Sequence, residues 1–522
     1  MDYVRKPVCL LPSLRVFRGG PMSGIGSELE NVISSGVPGL DDVLNGGFRR
    51  SRSYLIEGVP GSGKTTLALQ FLQCGASRGE PVLYVTLSES SEELHAAAAS
   101  HGWSLDGVTL REIVPSEEAL GPGEASTMFH LSEVELASTT QQILGDIESL
   151  RPTRVAIDSL SEIRLVSGTA LRYRRQILAL KQYFNSRGCT VLLLDDLTTT
   201  DQDAHIQSIA HGVILLEQMN PEYGTDRRRL RVRKYRGVAF RGGYHDYAIR
   251  HGGLEVYPRL VAAEHRTASP RLKMESGIPE MDSLLGGGIE QGTSTLIVGA
   301  AGTGKSTLAA QFAAAAATRG QKSAMYVFDE SPVTLTSRAA ELSIDLASAL
   351  GTGMVNIRQV DPAELSPGEL IHAIRVAVER HDVKLVVIDS LNGYLNAMPE
   401  ERFLAVQLHE LLTYLGQRNV ATILVCAHSG LLGANMSSPV DASYLADAVV
   451  LLRYFESRGE VRQALSVMKK RGSKHERTIR EFGFDNGRIF VGTALREFRG
   501  VLTGVPVYEG DGAGVHRRSS GG

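Results

Sequence analysis

The sequence predicts an α/β protein with two tandem domains, each built on a mainly parallel sheet flanked by helices. First, the phosphate-binding pattern G-x-x-x-x-G-K-[ST] occurs twice, at 58–65 and 299–306. Second, its two lysines are 241 positions apart (305 − 64), and the same offset relates Glu89 to Glu330. Third, each pattern follows a short apolar run and precedes an alanine- and leucine-rich segment. One nucleotide-binding unit has therefore been duplicated within the chain.

The composition and net charge of the chain are consistent with this predicted fold. The 522 residues are 43% hydrophobic and 22% charged, which is ordinary for a globular protein with large cores. A net charge of −3 gives no overall attraction to nucleic acid or to anionic membrane and argues against nucleic acid as a partner. The four cysteines lack metal-ligand spacing, and no apolar run approaches the ~18 residues of a membrane span. We therefore expect a cytoplasmic protein with free thiols and no membrane segment.

Each half repeats one order of elements, which begins with a Gly/Pro-rich turn and a short apolar strand. Fully apolar strands separated by helix-length segments predict a parallel sheet covered on both faces. Right-handed crossovers then place a ligand at the carboxyl ends of the strands. The predicted strands are 53–57, 81–87, 154–160, 190–194, 295–298, 323–328, 384–391 and 421–427, and the predicted helices after the phosphate loops are 66–77 and 307–318.

The division into domains follows from the repeat and from local composition. Residues 250–276 contain Gly, Arg and Pro without strong periodicity, which is typical of a connection. We expect domain boundaries as follows: a poorly ordered leader at 1–30, the first domain at 31–260, the second at 261–505 and a flexible tail at 506–522.

The chemistry of the two loops follows from their residue types. Glycines allow successive backbone N–H groups to face phosphate oxygens, and the following helix adds its positive end. Lys64 and Lys305 are expected to reach the β- and γ-phosphates of ATP, while Thr65 and Ser306 bind Mg²⁺. The predicted ATP-contacting residues of the loops are Gly58, Gly61, Ser62, Gly63, Lys64, Thr65, Thr66, Gly299, Gly302, Thr303, Gly304, Lys305, Ser306 and Thr307.

Two further pairs of carboxylates stand at strand ends. Asp158 and Asp389 end apolar runs, as expected of the acidic residue that holds Mg²⁺ directly or through water. The alternative is a strand-ending Asp that caps the next helix. Glu89 and Glu330 follow the second strand and are the candidates to orient and deprotonate an attacking water or hydroxyl. The alternative for both is an exposed Glu at the start of a helix.

The most basic segment is 227–236, in which alternate arginines share one face of a strand and Leu230 and Val232 share the other. Its charges could protect an edge strand from pairing, or they could bind DNA. A core of Lys-x-Arg-Gly recurs at 234–237 and 469–472. This repetition indicates cations that reach the γ-phosphate of a neighbouring subunit in a ring.

The two halves, the 36–41 lead-in (Gly-Val-Pro-Gly-Leu-Asp), the 100–103 segment (Ser-His-Gly-Trp), the Lys-x-Arg-Gly core and the 464–482 segment resemble the KaiC family of tandem RecA-like ATPases. The resemblance covers about 31–505. It implies a homohexameric double ring with ATP and Mg²⁺ between subunits. It further implies a slow ATPase in the first half, a serine/threonine autokinase and autophosphatase in the second, and KaiB-like or histidine-kinase-type signalling partners.

Carried over residue by residue, the family's paired glutamates fall on Ser88 and Glu89, and on Asp329 and Glu330. Ser88 cannot act as a base, whereas Asp329 is a further catalytic and metal-binding candidate. The family's phosphorylated Ser-Thr pair falls on Ser443 and on a tyrosine, which leaves a single-site cycle on Ser443. The alternative is that Ser443 is an ordinary serine before the apolar run at 448–452. The remaining nucleotide contacts implied are Ser100, Lys234, Arg236, Lys469, Arg471, Ser473 and His475. Two alternatives stay open: a RecA- or DnaB-like motor stimulated by DNA, and an ATP-gated signalling scaffold without kinase activity.

Overall fold

The computed structural model of the protein describes residues 31–113, 140–197, 204–221, 224–265, 272–396, 403–427, 444–457, 459–503 and 507–508. The chain divides into two compact units between Arg259 and Leu260. No helix of the described ranges is both long enough and apolar enough to cross a membrane.

The strands and helices of the first unit begin and end as follows. Its strands are β1 Val32–Ile33, β2 Phe48–Arg49, β3 Ser53–Gly58, β4 Val82–Thr86, β5 Thr109–Glu112, β6 Arg154–Asp158, β7 Thr190–Asp196, β8 Gly212–Met219, β9 Arg227–Tyr235, β10 Tyr244–Arg250 and β11 Gly253–Tyr257. Its helices are α1 Leu40–Val43, α2 Lys64–Ala76, α3 Ser91–Ser100, α4 (described over 140–150), α5 Leu160–Ser167, α6 Ala170–Ser186 and α7 Ala204–Ile209.

The second unit repeats this series. Its strands are β12 Lys273–Met274, β13 Ile289–Glu290, β14 Ser294–Gly299, β15 Lys322–Val327, β16 Val355–Gln359, β17 Val383–Asp389, β18 Ala421–Ala427, β19 Ala448–Ser457, β20 Glu460–Lys470, β21 Ile479–Asp485, β22 Arg488–Ala494, β23 Phe498–Arg499 and β24 Val507–Tyr508. Its α-helices are α8 Pro279–Leu284, α9 Lys305–Thr318, α10 Pro332–Glu341, α11 Leu346–Gly351, α12 Pro367–His381, α13 Leu391–Asn396 and α14 Leu404–Gln417, and 3₁₀ helices cover Ala262–His265 and Val501–Thr503.

Each unit is built on a nine-stranded sheet. The strand order is β11-β10-β9-β8-β3-β7-β6-β4-β5 in the first and β22-β21-β20-β19-β14-β18-β17-β15-β16 in the second. In the first sheet the six neighbouring strands β8, β3, β7, β6, β4 and β5 run parallel, and β9, β10 and β11 continue the sheet antiparallel. The second sheet has the same division between β19 and β20. These are tandem RecA-like α/β domains, and the predicted fold class is confirmed.

Apolar side chains cover both faces of each sheet. Along β3, Tyr54 and Ile56 pack into one buried cluster, while Leu55 between them packs into another. This alternation is the period of two that a strand imposes, and it explains why the run is apolar throughout. The strand that leads to the phosphate loop is therefore fixed from both sides.

The lead-in turns share an aspartate with a structural role. The backbone N–H of Ser35 donates to Asp41 at 2.8 Å, and that of Ser276 donates to Asp282 at 2.7 Å. An Asp side chain that accepts from nearby backbone in this way closes a turn. The repeat of this motif is thus explained by the fold, without a role in chemistry.

The interpretation of the basic segment as an edge strand is wrong. It forms β9, which pairs with β8 on one side and β10 on the other. Leu230 and Val232 are buried in the core, whereas Arg231 and Arg233 are exposed, as the alternating pattern predicts. The antiparallel extension of the sheet was missed because nothing local in the sequence says which strand lies next to another.

Candidate functional site

The first phosphate loop joins the end of β3 to the start of α2. Gly63 precedes the helix with φ 92°, and a Cβ there would lie 2.5 Å from Ile249 Cδ1. Glycine is therefore required both by the left-handed backbone and by the close approach of β10. The hydroxyl of Tyr247 donates to the carbonyl oxygen of Ser62 at 2.6 Å and ties the loop to the same strand.

Lys64 is the buried cation of this loop. Its ammonium group donates to the carbonyl oxygens of Gly58 and Val59 at 2.9 and 3.1 Å and lies 2.7 Å from Asp196 Oδ1. Asp196 ends β7, the strand hydrogen-bonded to β3, so the two strand ends meet at one edge of the sheet. Sequence reasoning missed Asp196. The available signal was the pair of aspartates that follows the predicted strand at 190–194.

Asp158, at the end of β6, also lies beside the start of α2. Its Oδ2 accepts hydrogen bonds from Thr65 at 2.9 Å and from Tyr84 at 2.6 Å. Burial raises the pKa of this carboxyl, although both hydrogen bonds act to lower it. The residue before the next helix is Ser159, which makes no side-chain cap, so the hydrogen bonds of Asp158 go to the loop helix and to β4. The structure thus brings together the residues predicted to hold Mg²⁺.

Glu89 lies between β4 and α3, just outside the helix. Its backbone N–H donates to the Thr86 hydroxyl at 2.9 Å, and that hydroxyl donates to the Glu89 carbonyl at 2.7 Å. The helix itself is capped by Ser90 and Glu93 in a capping box, so Glu89 is not the acid that starts it. Burial first, and then the negative charge of Asp158, raise the pKa of the half-buried Glu89 carboxyl. Its neighbour Ser88 is exposed.

The second phosphate loop has the same construction. Gly304 precedes α9 with φ 90°, and a Cβ there would lie 2.7 Å from Phe484 Cζ. The Lys305 ammonium donates to the carbonyl oxygen of Ala300 at 2.7 Å, and burial lowers its pKa. The Ser306 hydroxyl is hydrogen-bonded to Asp389, whose pKa burial raises. The second set of predicted Mg²⁺ ligands also comes together.

The carboxylates that follow β15 differ in their contacts from Glu89. Asp329 accepts from the Ser390 hydroxyl at 2.6 Å, next to Asp389. Glu330 accepts from the Arg338 guanidinium at 2.8 Å. The second site therefore holds its glutamate in an ion pair. Besides burial, the charges of Asp158, Glu93 and Asp196 raise the pKa of Glu89, and that of Lys64 lowers it.

Other predicted ATP contacts are near the loops to different degrees. Ser100 is exposed and donates to the Ala97 carbonyl at 2.7 Å, while its neighbour His101 approaches Thr66 Oγ1 at 3.4 Å through Nε2. His101 thus contacts the first turn of the loop helix. The remaining small polar residues of the loops, Ser62, Thr303 and Thr307, are buried.

The cations of the first Lys-x-Arg-Gly core lie at the opposite end of the sheet from the loop. Lys234 donates to the carbonyl oxygens of Gln207 and Ser208, and Arg236 donates to Ser208 at 2.7 Å. Their strand pairs with β8 near Gly212, which is opposite Tyr54 at the amino end of β3. The phosphate loop begins at the carboxyl end, four residues and roughly 13 Å further along β3.

The second core is placed in the same way. Lys469 donates to the Ala446 carbonyl at 2.8 Å, and Arg471 lies 3.7 Å from Asp447 beside the amino end of β14. Ser473 has a buried hydroxyl with no hydrogen-bond partner among the described residues, and His475 is half-buried nearby in sequence. The phosphorylation candidate Ser443 lies outside the described residues.

The arginines of β9 are engaged within the first unit. Arg229 lies 2.7 Å from Glu217 and stacks over the Tyr244 ring, and Arg233 lies 3.7 Å from the buried Glu57. Acidic partners offset much of this positive charge, which weakens the interpretation of the segment as a DNA-binding patch.

Comparison with known proteins identifies the family of the chain. A sequence model of the family described as "ATPase: KaiC" matches residues 33–261 and again 274–495. The chain is 26% identical to the circadian clock oscillator protein KaiC of Thermostichus vulcanus over 95% of both chains. It is 25% identical to the circadian clock protein KaiC3 of a Synechocystis species, over 91% of this chain and 94% of the relative. With nucleotide-binding loops in both matched segments, the chain belongs to the KaiC family of ATPases.

Proposed function

We propose that this protein is a slow Mg²⁺-dependent ATPase that assembles as a hexameric ring in the cytoplasm, with serine autokinase activity in its second unit. The observation that best supports the ATPase activity is the hydrogen bond between a hydroxyl and a carboxylate beside each loop. The partners are Thr65 and Asp158 in the first unit and Ser306 and Asp389 in the second. Mg²⁺ prefers hard oxygen ligands and usually takes one or two from protein, with phosphate and water supplying the rest. These residues fit that requirement.

The bound Mg²⁺ would neutralise charge that develops on the phosphates. Lys64 would bind the phosphates, and Thr65 and Asp158 would hold the ion. Glu89 is our candidate to orient and deprotonate the attacking water, because its raised pKa brings its basicity closer to neutral pH. In the second unit Lys305 would bind the phosphates, and Ser306 and Asp389 would hold the ion. Glu330 is the candidate base, and Asp329 is a further catalytic and metal-binding candidate.

The ring is supported by the position of the Lys-x-Arg-Gly cations. Lys234 and Arg236 lie at the amino end of β3, so they cannot reach the phosphate loop at its carboxyl end within the same unit. A head-to-tail neighbour would bring such cations to its partner's γ-phosphate, and closure of that contact gives a ring. Lys469, Arg471, Ser473 and His475 would serve the second site, with Ser100 a further nucleotide contact of the first.

The autokinase rests on the family relationship and on Ser443 as the acceptor. The circadian names of the relatives support our proposal of a switching role in timing or signalling, with KaiB-like or histidine-kinase-type proteins as partners. The experiment incubates the purified full chain with ATP and Mg²⁺, weighs the assembly by native mass spectrometry and maps phosphate by peptide mass. We expect hexamers and phosphate on Ser443, and a Ser443→Ala chain that assembles without it. A monomer under these conditions would contradict the ring, and a chain free of phosphate would contradict the kinase.

The alternative function, a motor stimulated by DNA, is tested by a second experiment that we expect to exclude it. The same preparation is assayed for ATP hydrolysis with and without single-stranded DNA at several salt concentrations. We expect equal rates, because the guanidinium of Arg229 is already paired with Glu217 and stacked on Tyr244. Strong stimulation that falls steeply with salt would favour the motor.

A further inference from the structure

The two phosphate-loop lysines have different surroundings. Lys64 is 7% exposed and lies 2.7 Å from Asp196, a carboxylate that is 36% exposed at the edge of the site. In the register of the first sheet Asp196 is opposite Gly58, and in the second sheet Ala427 is opposite Gly299. The second unit therefore has a methyl group where the first unit has a negative charge.

The hydrogen bonds of the following helices support this equivalence. In the first unit the Ser161 hydroxyl, on α5, contacts both the backbone N–H and the carboxylate of Asp196 at 3.4 Å. In the second unit the amide of Asn392, on α13, brackets the backbone of Ala427, with bonds of 2.7 and 3.0 Å. The same position of the fold is thus held in both units. In the first unit the Ser161 hydroxyl also contacts the Asp195 carboxylate, at 3.2 Å, and the contact that holds the Asp196 carboxylate at the loop is the one with Lys64.

The consequence for a nucleotide follows from charge. A phosphate that reaches Lys64 shares the ammonium with Asp196, or displaces it, and its oxygens then lie close to a third carboxylate besides Asp158 and Glu89. Like charges that lie close together repel strongly at the edge of a protein, where the effective dielectric constant is well below that of water. Mg²⁺ reduces this repulsion because it brings positive charge to the phosphates.

We propose that Asp196 is a specificity-determining residue that weakens nucleotide binding at the first site and makes it depend more steeply on Mg²⁺ than at the second. This inference rests on the proposed function, in which both loops bind nucleotide. Asp196 competes with the phosphates for Lys64, so the two sites of one chain fill at different nucleotide concentrations. The effect is larger for a triphosphate than for a diphosphate, since the triphosphate brings one more phosphate to the same lysine.

The test measures each site separately in the full chain. Lys305→Ala disables the second site, and in that chain Asp196→Asn is titrated with fluorescent ADP and with a non-hydrolysable fluorescent ATP analogue. We expect the dissociation constant to fall about tenfold for the analogue and less for ADP, with a weaker dependence on Mg²⁺. In a Lys64→Ala chain, the same Asp196→Asn change leaves the second site unaltered.

The reciprocal variant keeps the inference testable if Asp196→Asn folds poorly, which thermal unfolding by circular dichroism would reveal. Ala427→Asp in the Lys64→Ala chain installs the carboxylate at the second site. We expect it to raise the dissociation constant of the ATP analogue about tenfold. Unchanged or weaker binding in Asp196→Asn, or a fall in hydrolysis at constant affinity, would overturn the inference. A failure of both single-site parents to bind any nucleotide would instead contradict the proposed function.

Discussion

The hydroxyl of Thr65 donates a 2.9 Å hydrogen bond to Asp158, a residue 93 positions further along the chain. The contact exists because β6, which ends in Asp158, is separated from β3 by a single strand, and both point their carboxyl ends at the same edge. The second unit repeats it with Ser306 and Asp389.

Thr65→Ala removes the hydroxyl and should weaken Mg²⁺-dependent nucleotide binding at the first site. Thr65→Ser is the matched control, because the chain itself uses serine at the equivalent position, Ser306. We expect the serine variant to keep near-normal affinity, and the alanine variant to lose at least ~tenfold in the presence of Mg²⁺ and little in EDTA. Equal losses in both variants would mean that the methyl group matters and the hydroxyl does not. The measurement is nucleotide titration of the chain with the second site disabled.

Glu89→Gln should slow hydrolysis at the first site about 10²- to 10⁴-fold with little change in affinity, because the amide cannot accept a proton from water. Ser88→Ala is the control, since this exposed neighbour is not a base and its loss should leave the rate unchanged. Phosphate release in a chain whose second site is disabled measures both. If the two variants had similar rates, Glu89 would be a structural residue only.

Arg236→Ala should reduce first-site hydrolysis by about 10³-fold or more in the assembled protein while leaving nucleotide affinity nearly intact. Arg231→Ala is the control, being an exposed arginine of the same basic segment. Mixed assemblies of Arg236→Ala and Lys64→Ala subunits provide the sharper readout. Restored hydrolysis in the mixture indicates cations acting between subunits, whereas its absence contradicts that arrangement.

Gly63→Ala should prevent nucleotide binding at the first site, and Gly79→Ala should not. Both glycines have positive φ, 92° and 74°, so each substitution costs roughly 1–2 kcal/mol of backbone strain. Only at Gly63 would the added Cβ also meet a neighbour, Ile249 Cδ1 at 2.5 Å, while nothing lies within 4 Å at Gly79. Thermal unfolding should register both changes and nucleotide titration only the first. Retained binding in Gly63→Ala would show that the loop tolerates a side chain.

The first unit should lose stability as the pH falls from 6.5 towards 4. Burial lowers the pKa of His245 to about 4, and its ring accepts from the Arg259 N–H at 2.9 Å, which requires the neutral form. Because the unfolded chain binds this proton near pH 6.5, the stabilisation is complete above that pH and decreases below it. The expected loss from His245 between pH 7.5 and 5 is about 2 kcal/mol.

Urea unfolding followed by Trp103 fluorescence measures this stability, since Trp103 is the single tryptophan of the chain and lies in the first unit. His245→Asn should flatten the pH dependence, with a remainder from His211, whose pKa burial also lowers to about 4. His95→Gln, at an exposed position, should leave the pH dependence as it is. An unaltered profile in His245→Asn would contradict the assignment.

The bounds of the predicted strands lie close to those of the observed strands, whereas the strands of the antiparallel extension other than β9 were not predicted. The strand predicted at 421–427 is β18 without change, and that predicted at 53–57 is one residue shorter than β3. The run predicted as a strand at 154–160 ends at Asp158, because Leu160 already begins α5. Apolar character alone could not separate the last residues of that strand from the first of a buried helix.

The sequence by itself determined that two phosphate loops exist, that each follows a buried strand, and that an aspartate ends another strand in each half. These are local patterns of glycine, hydrophobicity and charge, and short-range geometry is enough to interpret them. Ser443 as acceptor and the domain boundaries stay predictions. Only the tertiary structure decided that Asp196 meets Lys64, that β9 lies inside the sheet, and that the Lys-x-Arg-Gly cations lie at the end of the strands opposite their own loop. Those facts depend on strand order, which long-range packing sets.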